Sequence, residues 1–477
     1  MNSLISLAEQ QFLGDFALSE CERKFLEKID TNQILKCQEY NNKSKYFSSQ
    51  AKYNQIRAKL IIWLCTDSNA LQFIVKCGLK ISDVKITGQL DLRFLTLDFP
   101  IIFNKCIFTK AICLQGTNLK LLDLSDSVVH SSYILDEYVN ENKLFSLKAN
   151  NVNVCGNILL TNFKAFERVS FSDAKIDGNI ISRKAEFDST DNLALDFTNA
   201  KINGSIILTN KFKANGLVSL YGAEIKNLEC DGVFKATSSN EQLSLIGDNA
   251  EINGSVFLKK NFKSSGKVSF SRAKMLSLEC EGAIIETGSN LALIVDNSLI
   301  NGYVLLRDGF KANGRVSLSG TQMNSLDCRN GHFISSSEKL ALIVENSQIN
   351  GCVLLTEGFK ANGEVSLFGS SIGSLKCDGG EFNNPENTAI NLQNCKINGP
   401  VSLQTILTEY KFKANGEVSL LGSSIGSLEC DGGEFNNPEN TALNAEDTQI
   451  NGSVLLREGF KANGEVSFLN STINNVD

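Results

Sequence analysis

The sequence predicts a mainly β fold: a right-handed parallel β-helix with four-sided coils, preceded by a small α-helical cap at the N-terminus. Three observations predict it. They are a repeat of about 49 residues, an apolar residue at every fifth position within the repeat, and a composition of 36 Gly with only 4 Pro in 477 residues. In a solenoid each coil is stabilised by its neighbours, so one long rod counts as one domain. We therefore expect a cap over residues 1–78 and a solenoid over residues 79–477.

The repeat is read from three recurring segments. Phe-Lys-x-x-Gly-x-Val-Ser recurs six times, and Leu-x-Cys recurs five times. The stretches 359–390 and 412–443 differ at only three positions, which indicates a recent duplication. The segment Ile-Asn-Gly begins, at spacings of 48 to 53 residues, at Ile202, Ile252, Ile300, Ile349, Ile397 and Ile450.

The spacing inside a repeat predicts the coil. Leu420, Ile425, Cys430 and Phe435 are five residues apart, which a helical period of 3.6 residues does not produce. Apolar residues two apart share one face of a strand. Four such faces close a coil of about 20 residues, which turn insertions lengthen to about 24, so each repeat holds two coils and residues 79–477 make roughly 16. We expect Gly and Asn to supply the left-handed corners, and Pro to be scarce because the ladder between coils uses backbone N–H groups.

The first 78 residues have a helical pattern instead. Ser19 to Glu22 forms a capping box that opens a helix carrying Phe25 and Leu26 on its apolar face. A second helix is predicted within residues 50–65, and a third near Leu71. The simpler interpretation is a cap over the open edge of the first coil. The alternative is a partner-binding module, with a candidate surface made of Ile56, Leu60 and Trp63.

The chain resembles a known family in the order of four segments: ALSECERKFLEKI, IRAKLIIWLCTDSNA, ISDVKITGQLDLRFLTLDFPIIFNKCIF and the repeated GFKANGEVSLLGSSIGSLECDGG. They resemble bacterial repeat proteins labelled "membrane-associated oxidoreductase". The five-residue period is also similar, more distantly, to that of pentapeptide-repeat proteins, which form right-handed quadrilateral β-helices. The first resemblance implies redox activity at a membrane surface. The second implies the fold and, for some of its members, inhibition by imitating DNA.

The residues themselves favour neither redox nor hydrolytic chemistry. No Gly-x-Gly-x-x-Gly motif lies between a strand and a helix, as a dinucleotide site requires, and no Cys-x-x-Cys pair occurs. The only histidines, His130 and His332, fall in different coils. The five cysteines of the Leu-x-Cys segments are expected two coils apart in the core, which is too far for a disulfide or a shared metal ion. We therefore predict no enzyme activity, no catalytic residue, no cofactor and no metal.

The most suggestive surface feature is a row of lysines that follow the repeated phenylalanine. They are expected on one edge about 10 Å apart, either keeping the rod soluble or forming a stripe that binds anions. The net charge of -7 argues against nucleic acid as the main partner, and the DNA-mimic interpretation stays an alternative. The row comprises Lys164, Lys213, Lys263, Lys311, Lys360, Lys413 and Lys461.

The sequence thus predicts a non-catalytic repeat scaffold that binds a protein partner of unknown identity, with a bacterial effector role as one version. The N-terminus lacks the pattern of a secretory signal, and no apolar run approaches the roughly 20 residues of a membrane span. We expect a cytoplasmic protein, with signal-independent secretion into a host and peripheral membrane contact left open. The last coil is expected to present an open β edge, which predicts an end-to-end homodimer.

Overall fold

A computed structural model describes residues 3–30, 54–133, 144–237, 242–335, 339–405 and 410–476. It confirms the predicted fold class. The chain is 53% strand and 9% helix, and its strands form a parallel β-solenoid of about 16 turns with a few helices at the N-terminus. Two compact units can be distinguished, Met1–Lys226 and Asn227–Asp477. The division into 1–78 and 79–477 stays a prediction.

The described residues at the start of the N-terminal unit contain the helices α1 (Leu4–Gln11), α2 (Glu20–Asp30), α3 (Ala58–Thr66) and α4 (Ser68–Ile74), with a 3-10 turn at Gly14–Phe16. The capping box of α2 is confirmed, because the Ser19 N–H donates to Glu22 Oε2 at 2.9 Å and the Glu22 N–H donates to Ser19 Oγ at 3.2 Å. The sequence pattern did not predict α1. Its first turn is capped by the Ser3 hydroxyl, which accepts from the Ser6 N–H.

The second predicted helix begins later than expected. Of its predicted span, residues 50–53 lie outside the described residues, and Gln55–Arg57 form strand β1. This strand pairs in parallel with β3, with Ile56 opposite Ile86. The helical spacing of Ile56 and Leu60 was therefore misleading at Ile56, because pairing with the first coil decides its conformation. The strand β1 thus covers the edge of that coil at β3.

The strands of the N-terminal unit follow in short segments, each of which pairs in parallel with a segment about one coil away, except for the antiparallel pair β10 and β11. In chain order they are β1 Gln55–Arg57, β2 Leu79–Ser82, β3 Lys85–Thr87, β4 Leu90–Asp91, β5 Thr96–Asn104, β6 Ile107–Phe108, β7 Ile112–Cys113, β8 Asn118–Asp123, β9 Val128–Val129, β10 Ser132–Tyr133, β11 Leu144–Lys148, β12 Asn153–Val154, β13 Ile158–Leu159, β14 Lys164–Ala165, β15 Arg168–Ser170, β16 Lys175–Ile176, β17 Ile180–Ile181, β18 Glu186–Asp196, β19 Lys201–Ile202, β20 Ile206–Ser219 and β21 Glu224–Ile225.

The C-terminal unit continues the same pattern with longer strands that bend at the coil corners. They are β22 Leu228–Lys235, β23 Leu243–Ile246, β24 Glu251–Leu258, β25 Lys263–Ser264, β26 Lys267–Ser269, β27 Lys274–Glu279, β28 Ile284–Ile294, β29 Leu299–Ile300, β30 Tyr303–Leu305, β31 Lys311–Ser317, β32 Gln322–Met323, β33 Ser325–Asp327, β34 His332–Ile334, β35 Leu340–Ile343, β36 Gln348–Leu354, β37 Lys360–Asn362, β38 Glu364–Ser366, β39 Ser371–Lys376, β40 Glu381–Asn391, β41 Lys396–Ser402, β42 Lys413–Ser419, β43 Ser424–Glu429, β44 Glu434–Asn444, β45 Gln449–Leu455, β46 Lys461–Ser467 and β47 Thr472–Val476.

The five-residue period is confirmed as the spacing of inward-facing residues. Leu420, Ile425 and Cys430 are each 0% exposed, and Phe435 is 1% exposed. The predicted pairs two residues apart are also buried together, as Leu428 and Cys430 show. Each coil therefore has four inward runs and no open interior at these positions. Apolar burial of this kind contributes about 25 cal/mol per Å².

The repeat spans two coils because large and small side chains alternate along the core. Phe382 lies opposite Ala361 on one side and Ala414 on the other. The phenylalanine of one coil thus faces the alanine of the next, which keeps the column filled without overpacking. The rings stack in one row, with centroids 5.2 Å apart for Phe359 and Phe382 and 5.7 Å apart for Phe382 and Phe412.

The corners use glycine in two ways, and only one of them was predicted. Gly422 takes a φ of 70° and Asn394 a φ of 57°, as expected for left-handed corners. The glycine of the Ile-Asn-Gly segment does not take a left-handed φ in the described coils. At Gly302 an added Cβ would lie 2.7 Å from the Leu276 carbonyl oxygen in the preceding coil. Close approach of two backbones requires glycine there.

Candidate interaction surface

The predicted partner surface at the N-terminus is wrong for its three named side chains. Ile56 and Leu60 are 0% exposed and Trp63 is 9% exposed. The Trp63 ring packs edge-on against Phe12, with centroids 5.8 Å apart. An amphipathic pattern cannot distinguish a face that binds a partner from a face that binds the rest of the chain, and here the apolar face packs inside the N-terminal unit.

In the N-terminal unit the lysine row is interrupted by a carboxylate. Lys164 and Lys213 lie opposite Glu186 from the coils on either side. Their Nζ atoms are 2.9 and 3.0 Å from the Glu186 carboxylate oxygens. The hydrogen bond from Lys164, with help from Lys213, lowers the pKa of Glu186 against the opposing effect of burial.

In the C-terminal unit the five remaining lysines share one register position, as predicted. They lie on alternate coils, and the coil between two successive lysines places another residue at the same position. Ile284 and His332 occupy the first two of these places. Glu381 and Glu434 occupy the last two. The ion pairs found at this row are Lys311–Glu286 at 3.5 Å, Lys360–Glu381 at 3.1 Å and Lys461–Glu434 at 3.8 Å.

The lysine row therefore alternates with glutamate at Glu186, Glu381 and Glu434, but not at Ile284 and His332. Exposed ion pairs of this kind contribute about 0–1 kcal/mol each. They offset part of the positive charge of the row, which does not favour a continuous stripe for anions. Within each unit the lysines share one register position, while one continuous row and anion binding by it stay predictions.

The two histidines lie in different units and have separate neighbours. His130 stacks on Phe166, with ring centroids 5.1 Å apart. His332 lies between Lys311 and Lys360 in the register of the coils. Burial, together with those two ammonium groups, lowers the pKa of His332, so this imidazole is neutral near pH 7.

The cysteines of the Leu-x-Cys segments belong to the core of the C-terminal unit. Cys230, Cys280, Cys328, Cys377 and Cys430 are each 0% exposed. Cys377 and Cys430 lie two coils apart, as predicted, because Val401 pairs with Leu375 in the coil before it and with Leu428 in the coil after it. Burial raises the pKa of the Cys377 thiol, which keeps it protonated and unreactive. Among the described residues, no group of three or more His, Cys, Asp or Glu side chains is arranged to hold a metal ion.

The residues that precede the repeated Val-Ser form a column of charged side chains, which the sequence pattern did not predict. In the C-terminal unit this position is Lys267, Arg315, Glu364, Glu417 and Glu465. The residues between them in the intervening coils are Leu291, Leu340, Thr388 and Thr441, as the pairs Leu291↔Arg315, Leu340↔Glu364, Thr388↔Glu417 and Thr441↔Glu465 show. We call this set of nine residues the charged column. It changes from basic and apolar to acidic and hydroxylated along the unit.

Beside the acidic half of the charged column lies an open groove of about 450 Å³. Two copies of the duplicated segment Asn-Asn-Pro-Glu-Asn-Thr, residues 383–388 and 436–441, line it together with Glu364 and Glu417. The Asn391 amide donates to Glu364 at 3.0 Å. Burial, aided by Glu345 and Glu417, nevertheless raises the pKa of Glu364.

The groove could have been anticipated from one signal. The duplicated segment is the most polar part of a repeat whose other residues alternate inward and outward. The lengths of the corners bring this segment beside Glu364 and Glu417. The sequence pattern does not define those lengths.

The C-terminal coil was predicted to mediate a homodimer. Its strands β46 and β47 pair with β44 and β45, and Leu469 is 63% exposed. The homodimer through this coil stays a prediction.

No family model, curated protein or solved structure matches the chain. In the part of the chain that the structure describes, the helices are too short or too polar to cross a membrane. The class of protein supported by the fold is a parallel β-solenoid repeat protein.

Proposed function

We propose that the protein is a non-catalytic β-solenoid scaffold that binds a protein partner on its outer surface. The observation that carries this proposal is the contrast between the charged column, which faces outward, and the residue that comes next in the chain, which faces inward. That next residue is valine in successive repeats: Val268, Val316, Val365 and Val418 are each 0% exposed. The outward residue changes from lysine to arginine to glutamate.

This contrast supports a binding role because only the inward residues are constrained by packing in the core. The constant valines fill the same place in every core layer. The outward residues do not have to pack in the core, so they are free to differ from repeat to repeat without altering the frame. Solenoids use such extended, variable surfaces to bind partners.

A cytoplasmic location is part of the proposal. No disulfide joins the described cysteines, and disulfides are rare where glutathione and thioredoxin keep thiols reduced. Delivery into a host cell as an effector is a narrower version of the same function.

The test is cross-linking of the full-length protein, added as bait to a lysate of its source cells, followed by mapping of the cross-linked peptides. The expected result is one enriched protein whose cross-links fall on outward lysines of the solenoid, such as Lys263 and Lys413. A sample quenched before the lysate is added gives the background.

Other outcomes would contradict the scaffold. Oxidation of a nicotinamide cofactor by the purified protein would support the oxidoreductase implied by the family resemblance. Capture of a topoisomerase that DNA displaces would support the DNA-mimic alternative. Capture only through the N-terminal helices would move the binding surface away from the solenoid.

A further inference from the structure

Three large apolar side chains lie exposed at one corner of the C-terminal unit. Leu276 is 50% exposed, Leu299 is 39% exposed and Tyr303 is 54% exposed. Leu299 and Tyr303 belong to the coil that follows Leu276. In the register of these two coils Lys274 pairs with Leu299, and the Gly302 N–H donates to the Leu276 carbonyl oxygen at 2.7 Å. The three side chains are therefore neighbours across one ladder.

The other repeats show that the fold does not require apolar residues at these three places. The place of Leu276, two residues before the Leu-x-Cys segment, holds Lys, Asn or Gly in the other repeats. The place of Leu299, just before Ile-Asn-Gly, holds Lys, Glu or Gln, and the place of Tyr303, just after it, holds Ser, Cys or Pro. Single exposed apolar residues are ordinary, whereas a contiguous group of them often marks a binding site.

A carboxylate lies in the middle of this apolar group. In the register Glu279 pairs with Phe257 in the coil before it and with Leu305 in the coil after it. All three side chains point outward and are of intermediate exposure. The set that we call the corner patch consists of Glu279 and the five apolar residues around it: Phe257, Leu276, Leu299, Tyr303 and Leu305.

Within the described part of the chain, no hydrogen bond or ion pair reaches the Glu279 carboxylate. The nearby cations are engaged elsewhere: Lys259 lies 3.8 Å from a Glu229 oxygen, and Arg307 lies 2.6 Å from a Glu281 oxygen. Partial burial and the charge of Glu281 raise the pKa of Glu279 against the opposing effect of these two cations. The carboxylate therefore lacks a direct partner of opposite charge.

We propose that the corner patch binds a short protein segment that places an arginine among apolar side chains. An occupant that covers the five apolar side chains also covers Glu279, and burial of an unpaired carboxylate is costly. The occupant therefore has to bring a cation to this point. A guanidinium suits a carboxylate better than an ammonium does, because it can donate two parallel hydrogen bonds. This proposal rests on the protein-binding function proposed above and names the surface and the kind of partner.

The size of the corner patch indicates a segment rather than a second folded copy of the chain. Three coils at about 4.8 Å, and the stretch from Leu299 to Leu305 at about 3.3 Å per residue, give an area of about 300 Å². A stable interface between folded proteins buries about 800 Å² on each side. We therefore expect an isolated segment to bind with a dissociation constant of about 0.1 mM.

The test uses a synthetic peptide as the probe. Its sequence is Gly-Ser-Leu-Trp-Arg-Leu-Leu with a fluorescent label on the N-terminus, and two matched peptides carry Gln or Glu in place of Arg. Fluorescence polarisation is measured while the full-length protein is added. The Arg peptide is expected to bind, and the Gln and Glu peptides are expected to bind about tenfold more weakly or less, because neither pairs with Glu279.

Variants of the corner patch use residues that other repeats carry at the same places. Tyr303→Ser and Leu276→Asn copy Ser255 and Asn324, so folding is expected, and far-UV circular dichroism checks it. Each is expected to weaken all three peptides about fivefold, because apolar contact is lost. Glu279→Gln is expected to weaken the Arg peptide about tenfold and to leave the Gln peptide unchanged, which is the coupling that a double-mutant cycle measures.

Glu458→Gln is the matched control. It removes one carboxylate from an exposed residue of a distant coil and is expected to leave all three dissociation constants unchanged. Three results would overturn the proposal: no saturable binding of the Arg peptide up to about 0.5 mM protein, equal binding of the three peptides, or full binding by Tyr303→Ser.

A failure of this proposal differs from a failure of the proposed function. If the cross-linking experiment captures no partner, the scaffold function fails. If it captures a partner with the same yield and the same cross-links from wild type and from Tyr303→Ser, the scaffold function stands and the partner binds elsewhere than at the corner patch.

Discussion

At the scale of single residues, the solenoid depends on glycines that have no side chain to contribute. Gly204, Gly302 and Gly351 stand at a corner where one coil passes close to the previous one. At Gly204 an added Cβ would lie 2.6 Å from Asn179 Oδ1, and at Gly302 it would lie 2.7 Å from the Leu276 carbonyl oxygen. A backbone carbonyl in a parallel ladder cannot move without disturbing its own hydrogen bonds. The repeated glycine of this segment is therefore a requirement of spacing.

We expect Gly302→Ala to destabilise the C-terminal unit by about 1–3 kcal/mol, the usual range for overpacking. The neighbouring Asn301→Ala is the matched control, since Asn301 is exposed and should change the free energy of unfolding by about 0.5 kcal/mol. Urea unfolding followed by far-UV circular dichroism measures both. Equal midpoints for the two variants would show that the corner can relax.

At the scale of elements, one buried ion pair joins α2 to β1. Glu22 is 1% exposed, and its carboxylate accepts hydrogen bonds from the Arg57 guanidinium at 2.7 and 2.8 Å and from the Arg57 backbone N–H at 3.0 Å. Arg57 also donates to the carbonyl oxygens of Phe16 and Ala17. Burial alone would raise the pKa of Glu22, but these hydrogen bonds outweigh it, and the pKa is lowered.

We expect Glu22→Gln to destabilise the N-terminal unit by about 2–3 kcal/mol at pH 7, because Arg57 loses its charged partner. A carboxyl group with a lowered pKa stabilises the fold above its unfolded value near 4.5, and this stability is lost as the pH falls through the folded value. The difference between wild type and variant should therefore shrink below about pH 4.

Trp63 is the single tryptophan and is buried in the same unit, so its fluorescence reports this unfolding directly. Glu20→Gln is the control. Glu20 is exposed and pairs only with Lys24 along the helix surface, so no measurable change is expected. A Glu22→Gln deficit that stays constant from pH 7 to pH 3.5 would contradict the assigned role of the ion pair.

At the scale of the whole molecule, two nearly identical repeats allow one of them to be removed by joining matching positions. In a solenoid, stability is approximately a sum of repeat and neighbour terms. The segment Thr-Glu-Gly that precedes Phe359 can be joined to Phe412 with no change in the local sequence, because both begin Phe-Lys-Ala-Asn-Gly. Phe412 then takes the place of Phe359 in the aromatic row.

We expect deletion of residues 359–411 to give a folded protein with the same circular dichroism per residue and a similar unfolding midpoint. Deletion of residues 365–411 is the control. It joins Glu364 to Phe412 and puts phenylalanine where Val365 stood, which shifts every inward residue that follows. We expect that variant to lose cooperative unfolding. Equal loss of structure in both would show that the coils are not interchangeable.

The sequence by itself determined the repeat, the coil of four short faces, the burial of Leu420, Ile425, Cys430 and Phe435, and the shared register of the lysines. These follow from a period that a chain of L-residues can satisfy in few ways. Only the tertiary structure decided that Ile56 joins a strand, that Trp63 is buried, and that Glu186, Glu381 and Glu434 interrupt the lysine row. It also placed Leu340 between Arg315 and Glu364. The physical reason is that these relations join residues from different coils, and the lengths of the corners, which the period does not fix, set which residues meet.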